Sequence, residues 1–180
     1  DGLGTVEVVD SVPEEGLVVL DVDGRLIAIE RLEGRMPHDP LGAEIQPERG
    51  WDAAAAIAAH AAHLRVADLE APPDHQTARR SAALVTGLAG VLARMGKALA
   101  AYYPHSGVLL AEHDALRATH MVQVGVSPIE AWVSFYLLGP RDEDESTPNG
   151  ACTHGLEPLI GRELEIAPQP FSPRRALDRA

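Results

Sequence analysis

His60 and His63 stand three residues apart, and imidazole is the commonest metal-ligating side chain. A zinc ion takes about four ligands, often with a water among them, so such a pair would need completing. His38 and His154 join them as the candidate metal set, with Asp39, His105, Glu112, His113, His120 and Cys152 as further donors. The spacing fits no recognised metal signature, and the ordinary structural reading is the stronger one. In that reading His60 ends a helix and bonds its terminal carbonyls. His63 begins a strand and hydrogen-bonds the long connection before it.

Other constellations offer less. Tyr103-Pro104-His105-Ser106-Gly107 brings a hydroxyl beside an imidazole, but a serine nucleophile needs a positioned base and an oxyanion hole. No G-x-S-x-G elbow surrounds Ser106. Cys152 and His154 would share one face of a strand, yet a lone cysteine is usually a small buried hydrophobe. The phosphate-loop and dinucleotide glycine patterns are absent, and Lys97, the only lysine, lies within an expected helix. The acidic run 142–145 reads as a solvated hairpin loop. Trp51 and Trp132 read first as core fillers and second as pocket walls. No catalytic residue and no cofactor emerges from these patterns.

The elements that must position these groups follow from composition and pattern. The 180 residues suit a single domain over 1–180, and 46% apolar content is enough for a core. With 27 acids against 15 bases the formal charge is −12, which makes nucleic acid and an anionic membrane poor partners. A basic protein partner fits that charge, and alanine-rich helices would also permit a homo-oligomer. One cysteine excludes an intrachain disulfide and suits a reduced, cytoplasmic setting. No apolar run is long enough to span a bilayer.

Strands are expected at residues 5–9, 17–20 and 26–29, the last two joined by an Asp23-Gly24 hairpin signal. Residues 34–50 form a long connection rich in Pro and Gly. A helix is expected over 51–60, a strand over 63–67, and one long helix over 77–101. In that helix Leu84, Leu88, Val91, Leu92, Met95 and Leu99 recur at helical spacing as the stripe to be buried. Its Gly87, Gly90 and Gly96 would allow close packing against a sheet. A short strand or a buried turn at 108–110, a helix over 111–121, and strands at 131–138, 152–156 and 163–166 complete the pattern. A last short helix is expected over 174–179. The class is α+β: one mixed or antiparallel sheet covered by two or three helices, with a ferredoxin-like core as one arrangement.

Taken in order, several segments resemble the uncharacterised bacterial family DUF4261. They are Met36-Pro37-His38-Asp39-Pro40-Leu41, Trp51, His60-Ala61-Ala62-His63-Leu64-Arg65-Val66, the long helix, Pro128-Ile129-Glu130-Ala131-Trp132-Val133, and Thr153-His154-Gly155 running on to Ile166. The resemblance covers the chain from about residue 17 onward. It implies a bacterial protein whose relatives carry a further strand and helix before residue 1. It brings no activity to transfer. The leading expectation is therefore a non-enzymatic binding or protein-interaction domain. A small metal-dependent or metal-binding protein using the histidines, and a homo-oligomeric structural module, are the alternatives.

Overall fold

A computed structural model describes residues 5–36, 51–138 and 149–169. Strand β1 (Val6–Val12) turns through a 3-10 segment (Pro13–Glu15) into β2 (Leu17–Val22). Gly16 closes that turn at φ 68°, where its N–H reaches Pro13 O. The Asp23-Gly24 pair then leads into β3 (Arg25–Glu33), and both its residues have positive φ, 53° and 79°. That is the backbone a two-residue hairpin requires. Helix α1 (Ala53–Ala59) starts at Asp52, whose carboxylate accepts from Ala55 N–H at 2.9 Å. Strand β4 (Ala62–Asp68) then pairs with β3.

These four strands form one antiparallel sheet in the order β1-β2-β3-β4. Consecutive strands are neighbours, and the first two turns are too tight for a crossover. The meander is thus not the interleaved order of a ferredoxin-like core.

Helix α2 (His75–Gly96) lies on one face of this sheet. Asp74 caps it by accepting from Thr77 N–H at 2.7 Å. Val22 and Ile27 from the sheet meet Leu84 and Leu88 from the helix, with Leu20, Val66 and Val85 around them. Burying each large aliphatic side chain contributes about 1.5–3 kcal/mol. A polar clasp fixes the register of this contact. Arg25 Nε donates to Asp68 Oδ2 at 2.7 Å, and Ser81 Oγ on α2 donates to the same oxygen at 2.5 Å. Arg25 also reaches Glu70 O at 2.8 Å, so β3, β4 and α2 are joined at one point.

The chain continues through β5 (Ala100–Tyr103), β6 (Val108–Ala111), α3 (Glu112–Gln123) and α4 (Ile129–Trp132). It then runs through β7 (Ser134–Leu138), β8 (Asn149–His154), α5 (Glu157–Ile160) and β9 (Glu165–Gln169). Strands β5 and β6 form a hairpin, and β7-β8-β9 form a third antiparallel sheet. The class is α+β as expected, but the described strands are spread over three antiparallel sheets where one was expected. A second core cluster joins Leu110, Ala115, Ala118, Ala131, Trp132, Val133 and Leu159. Trp132 is the large filler there, and its Nε1 donates to Thr86 Oγ1 at 2.9 Å.

The long helix differs from its expected form in two ways. It ends at Gly96, because Lys97 takes a left-handed conformation (φ 51°), and residues 100–103 are strand. Its buried side also differs. Val91, Met95 and Leu99 are exposed, while Ala78, Ser81, Thr86, Gly87, Gly90 and Ala93 are buried. The small residues admit α3, not a sheet: a Cβ on Gly90 would lie 1.9 Å from Thr119 Oγ1. The expected loop at 142–145 and helix at 174–179 fall outside the described residues.

Candidate functional site

His60 follows the last turn of α1, and both of its ring nitrogens are engaged. Nδ1 lies 2.5 Å from Ile57 O, and Nε2 accepts from Met36 N–H at 2.7 Å. A carbonyl on one side and an amide on the other select the tautomer with the proton on Nδ1. The Nε2 lone pair that a metal would need is therefore already used. His63 on β4 places Nδ1 3.3 Å from Gly34 O. The two histidines converge on one stretch of backbone, residues 34–36, and hold the exit of β3.

His154 sits on β8 opposite Ser134, with its ring edge-on to Tyr136 at a centroid distance of 6.3 Å. It belongs to a different sheet from His63. His38 lies outside the described residues, as does Asp39. Among the described residues no three His, Cys, Asp or Glu side chains gather where they could hold a metal ion.

The other sequence candidates take structural positions. Ser106 is fully buried, and its Oγ donates towards Ala131 O (2.9 Å) and lies 3.3 Å from Tyr103 O. Ser106 O accepts from Ser134 Oγ at 2.6 Å. The hydroxyl thus pins the β5–β6 turn against α4, and the carbonyl pins it against β7. Cys152 is half-buried on β8 opposite Tyr136. Asp114, at 2% exposure, holds Arg117 at 3.1 Å; His113 Nε2 lies 2.8 Å from its other oxygen without hydrogen-bond geometry.

The segment from Thr153 to Glu163 has a clear physical role. Glu163 accepts from the N–H groups of Gly155 (2.8 Å), Leu156 (2.9 Å) and Glu157 (3.0 Å) and from Thr153 Oγ1 (2.7 Å). The carboxylate closes the start of α5. Burial pushes its pKa up, and these four donors outweigh burial and hold it below the usual carboxylate range. Asp68 behaves alike: burial raises it, while Arg25 and Ser81 bring it down overall. Gly155 (φ 95°) has no room for a side chain, since a Cβ would meet Trp132 O at 2.5 Å.

Among the described residues, what remains uncommitted is the face of the four-stranded sheet opposite α2. Side chains alternate across a strand, so Val22, Leu20, Ile27 and Val66 point to the helix while Val19, Leu17, Ala28 and Ala67 point away. These residues, with Leu69, Glu30 and Arg65, line an open concavity of about 430 Å³. Its centre is apolar, and the ion pair between Arg65 and Glu30 crosses it on adjacent strands. The same sheet ends on β1, where Val6, Val8 and Val9 are 44%, 67% and 57% exposed. Sequence reasoning passed over this surface. Its signals were present: the alternating Val6-Glu7-Val8, and a first 24 residues without a single Lys, Arg or His.

Among the described residues no helix is long and apolar enough to cross a membrane. Set against protein-family models, curated proteins and solved structures, the chain finds no match.

Proposed function

We propose that this chain is a non-enzymatic protein-interaction domain, a single α+β unit of a bacterial cytoplasmic protein, that binds a basic protein partner. The observation carrying this reading is the open face of the four-stranded sheet. An apolar concavity edged by one ion pair has the makeup of a recognition surface, with buried apolar area for affinity and a charged pair for orientation. The charge of −12 adds long-range attraction for a cationic partner. The histidines support it indirectly, since His60 and His63 already hold backbone groups. Membership of DUF4261 is part of the same proposal and rests on the order and spacing of the segments quoted above.

The test compares wild type with Ala28→Arg, which places a long cation in the middle of the concavity. Both proteins are immobilised and challenged with bacterial lysate, and the captured protein is identified, purified and titrated back. The expected result is a basic protein bound one-to-one by wild type and at least about tenfold more weakly by the variant. Equal affinity for both, with the variant folded by circular dichroism, refutes the assignment to this face.

A further inference from the structure

We infer that strand β1 is an acceptor edge. It takes an extended segment of the basic partner as a fifth strand, with apolar residues alternating with Lys or Arg. The inference rests on the interaction-domain reading above and deepens it by naming the mode of contact and the partner's sequence pattern.

The edge is open in the right places. β1 is the end strand of its sheet, so its outer backbone groups meet no other described strand. Thr5 O accepts from Asp23 N–H at 3.2 Å and so faces β2. Hydrogen-bonding direction alternates along an antiparallel strand, which turns the N–H and C=O groups of Val6 and Val8 outward. Further along, the register shifts between Val8 and Asp10, and Asp10 Oδ1 takes the Ser11 N–H at 2.8 Å. The accepting stretch is therefore residues 6–8. A natural sheet edge is normally blunted by lysines, prolines or bulges. Here the bulge and the Asp10 side chain close one half, and the other half presents exposed valines.

The side chains set the partner's pattern. Val6 and Val8 pair with Val22 and Leu20, so they lie on the α2 side of the sheet. Glu7 pairs with Asp21, and Asp10 with Val19, on the open side. An added strand would place alternate residues beside Val6 and Val8, where apolar side chains fit. Its intervening residue would lie beside Glu7, where a cation fits. The hairpin carries Glu7, Asp10, Glu14, Glu15 and Asp21 and no base. No ion pair among the described residues involves any of these five. The same charge argues against a second copy, which would bring an identical acidic edge and a further −12.

The experiment uses the full chain and three labelled ten-residue peptides. One alternates Val with Lys, one carries the same residues in two blocks, and one alternates Val with Glu. Fluorescence anisotropy gives affinity, and amide hydrogen exchange gives location. The expected result is salt-sensitive binding of the alternating cationic peptide, about tenfold or more tighter than either control. Slowed exchange of the Val6 and Val8 amides should accompany it. Val8→Pro removes one outward N–H, is tolerated at a sheet edge, and should weaken binding about tenfold while leaving circular dichroism unchanged. Equal binding of the alternating and block peptides overturns the inference. So does protection confined to Ala28 and Ala67, which would keep the open face as a binding surface without strand addition. Concentration-dependent protection of Val6 and Val8 without peptide also overturns it, in favour of a second copy. Failure of Ala28→Arg to alter partner binding, with β1 protection intact, would instead remove only the open-face assignment.

Discussion

Gly90→Ala is the sharpest test of how α2 and α3 are packed. On an exposed helix interior, replacing Gly by Ala stabilises by about 0.8–1 kcal/mol. At Gly90 the new methyl would sit 1.9 Å from Thr119 Oγ1, 2.6 Å from its Cβ and 2.7 Å from its Cγ2. Carbon atoms in van der Waals contact sit at about 3.5–4 Å, so the neighbour must withdraw by about an ångström. Thr119 has little freedom to do so. It is 1% exposed, β-branched, and its hydroxyl bonds the carbonyls of Ala115 (2.9 Å) and Thr86 (3.2 Å). Overpacking of this kind costs about 1–3 kcal/mol, and disturbing the buried hydroxyl adds about 1 more. Even after the gain in helix propensity, a net loss of about 2 kcal/mol is expected. In urea unfolding, a slope of about 2 kcal/mol/M converts that to a midpoint lower by about 1 M. Gly96→Ala, in the same helix with nothing within 4 Å, is the control and should be neutral or slightly stabilising. Thr119→Ala in the Gly90→Ala background should recover part of the loss, because it removes two of the three blocking atoms. A Gly90→Ala protein as stable as Gly96→Ala would refute the close helix contact.

Two half-buried carboxylates make the fold acid-sensitive in a defined direction. Asp68 and Glu163 are both held below their ordinary values, so their stabilisation is full above the unfolded values of about 3.9 and 4.3 and is lost as pH falls through the folded ones. Asp68→Asn should cost about 3 kcal/mol at neutral pH, because the buried Arg25 loses its nearest carboxylate and keeps only Glu70. Glu163→Gln should cost about 1–3 kcal/mol through the lost acceptor. Urea titrations at several pH values should show each wild-type-to-variant gap closing below about pH 4, and a gap independent of pH would contradict the assignment. For His60, nitrogen NMR should find the proton on Nδ1 and show no displacement of Nε2 on adding zinc. A zinc-dependent shift at Nε2 would restore the metal reading.

The sheet was legible where local chemistry decides the backbone. Asp23-Gly24 marks a two-residue turn because both residues tolerate positive φ, and the strands on either side follow from it. Asp52 and Asp74 mark helix starts for an equally local reason. What was not legible is how one element meets another. Hydrophobic period picked Val91, Met95 and Leu99 for burial, because it weighs large side chains. The α2–α3 contact is made of Gly90, Thr86 and Ala93, whose value lies in their smallness, and smallness has no periodic signature unless the partner helix is known. The number of sheets was hidden for the same reason, since strand content does not say which strands are joined.

The candidate site divides along the same line. Imidazole is conspicuous in a sequence, which is why His60 and His63 stand out there. Their work is set by what lies opposite, Met36 N–H and Gly34 O, which belong to backbone and leave no trace in residue type. The interaction surface presents the reverse case. Val6, Val8, Ala28 and Ala67 are unremarkable residues that any sheet would carry. They acquire significance only because the neighbours that would cover the edge and the concave face are absent among the described residues. An alternating Val-Glu-Val at an expected strand can be read as half-buried with equal justice whether it lies in the middle of a sheet or at its edge. Charge is the one part of the signal that survives without coordinates. A hairpin of five acids and no base repels its own kind at either position, and only at an edge does that repulsion become a preference for a cationic strand.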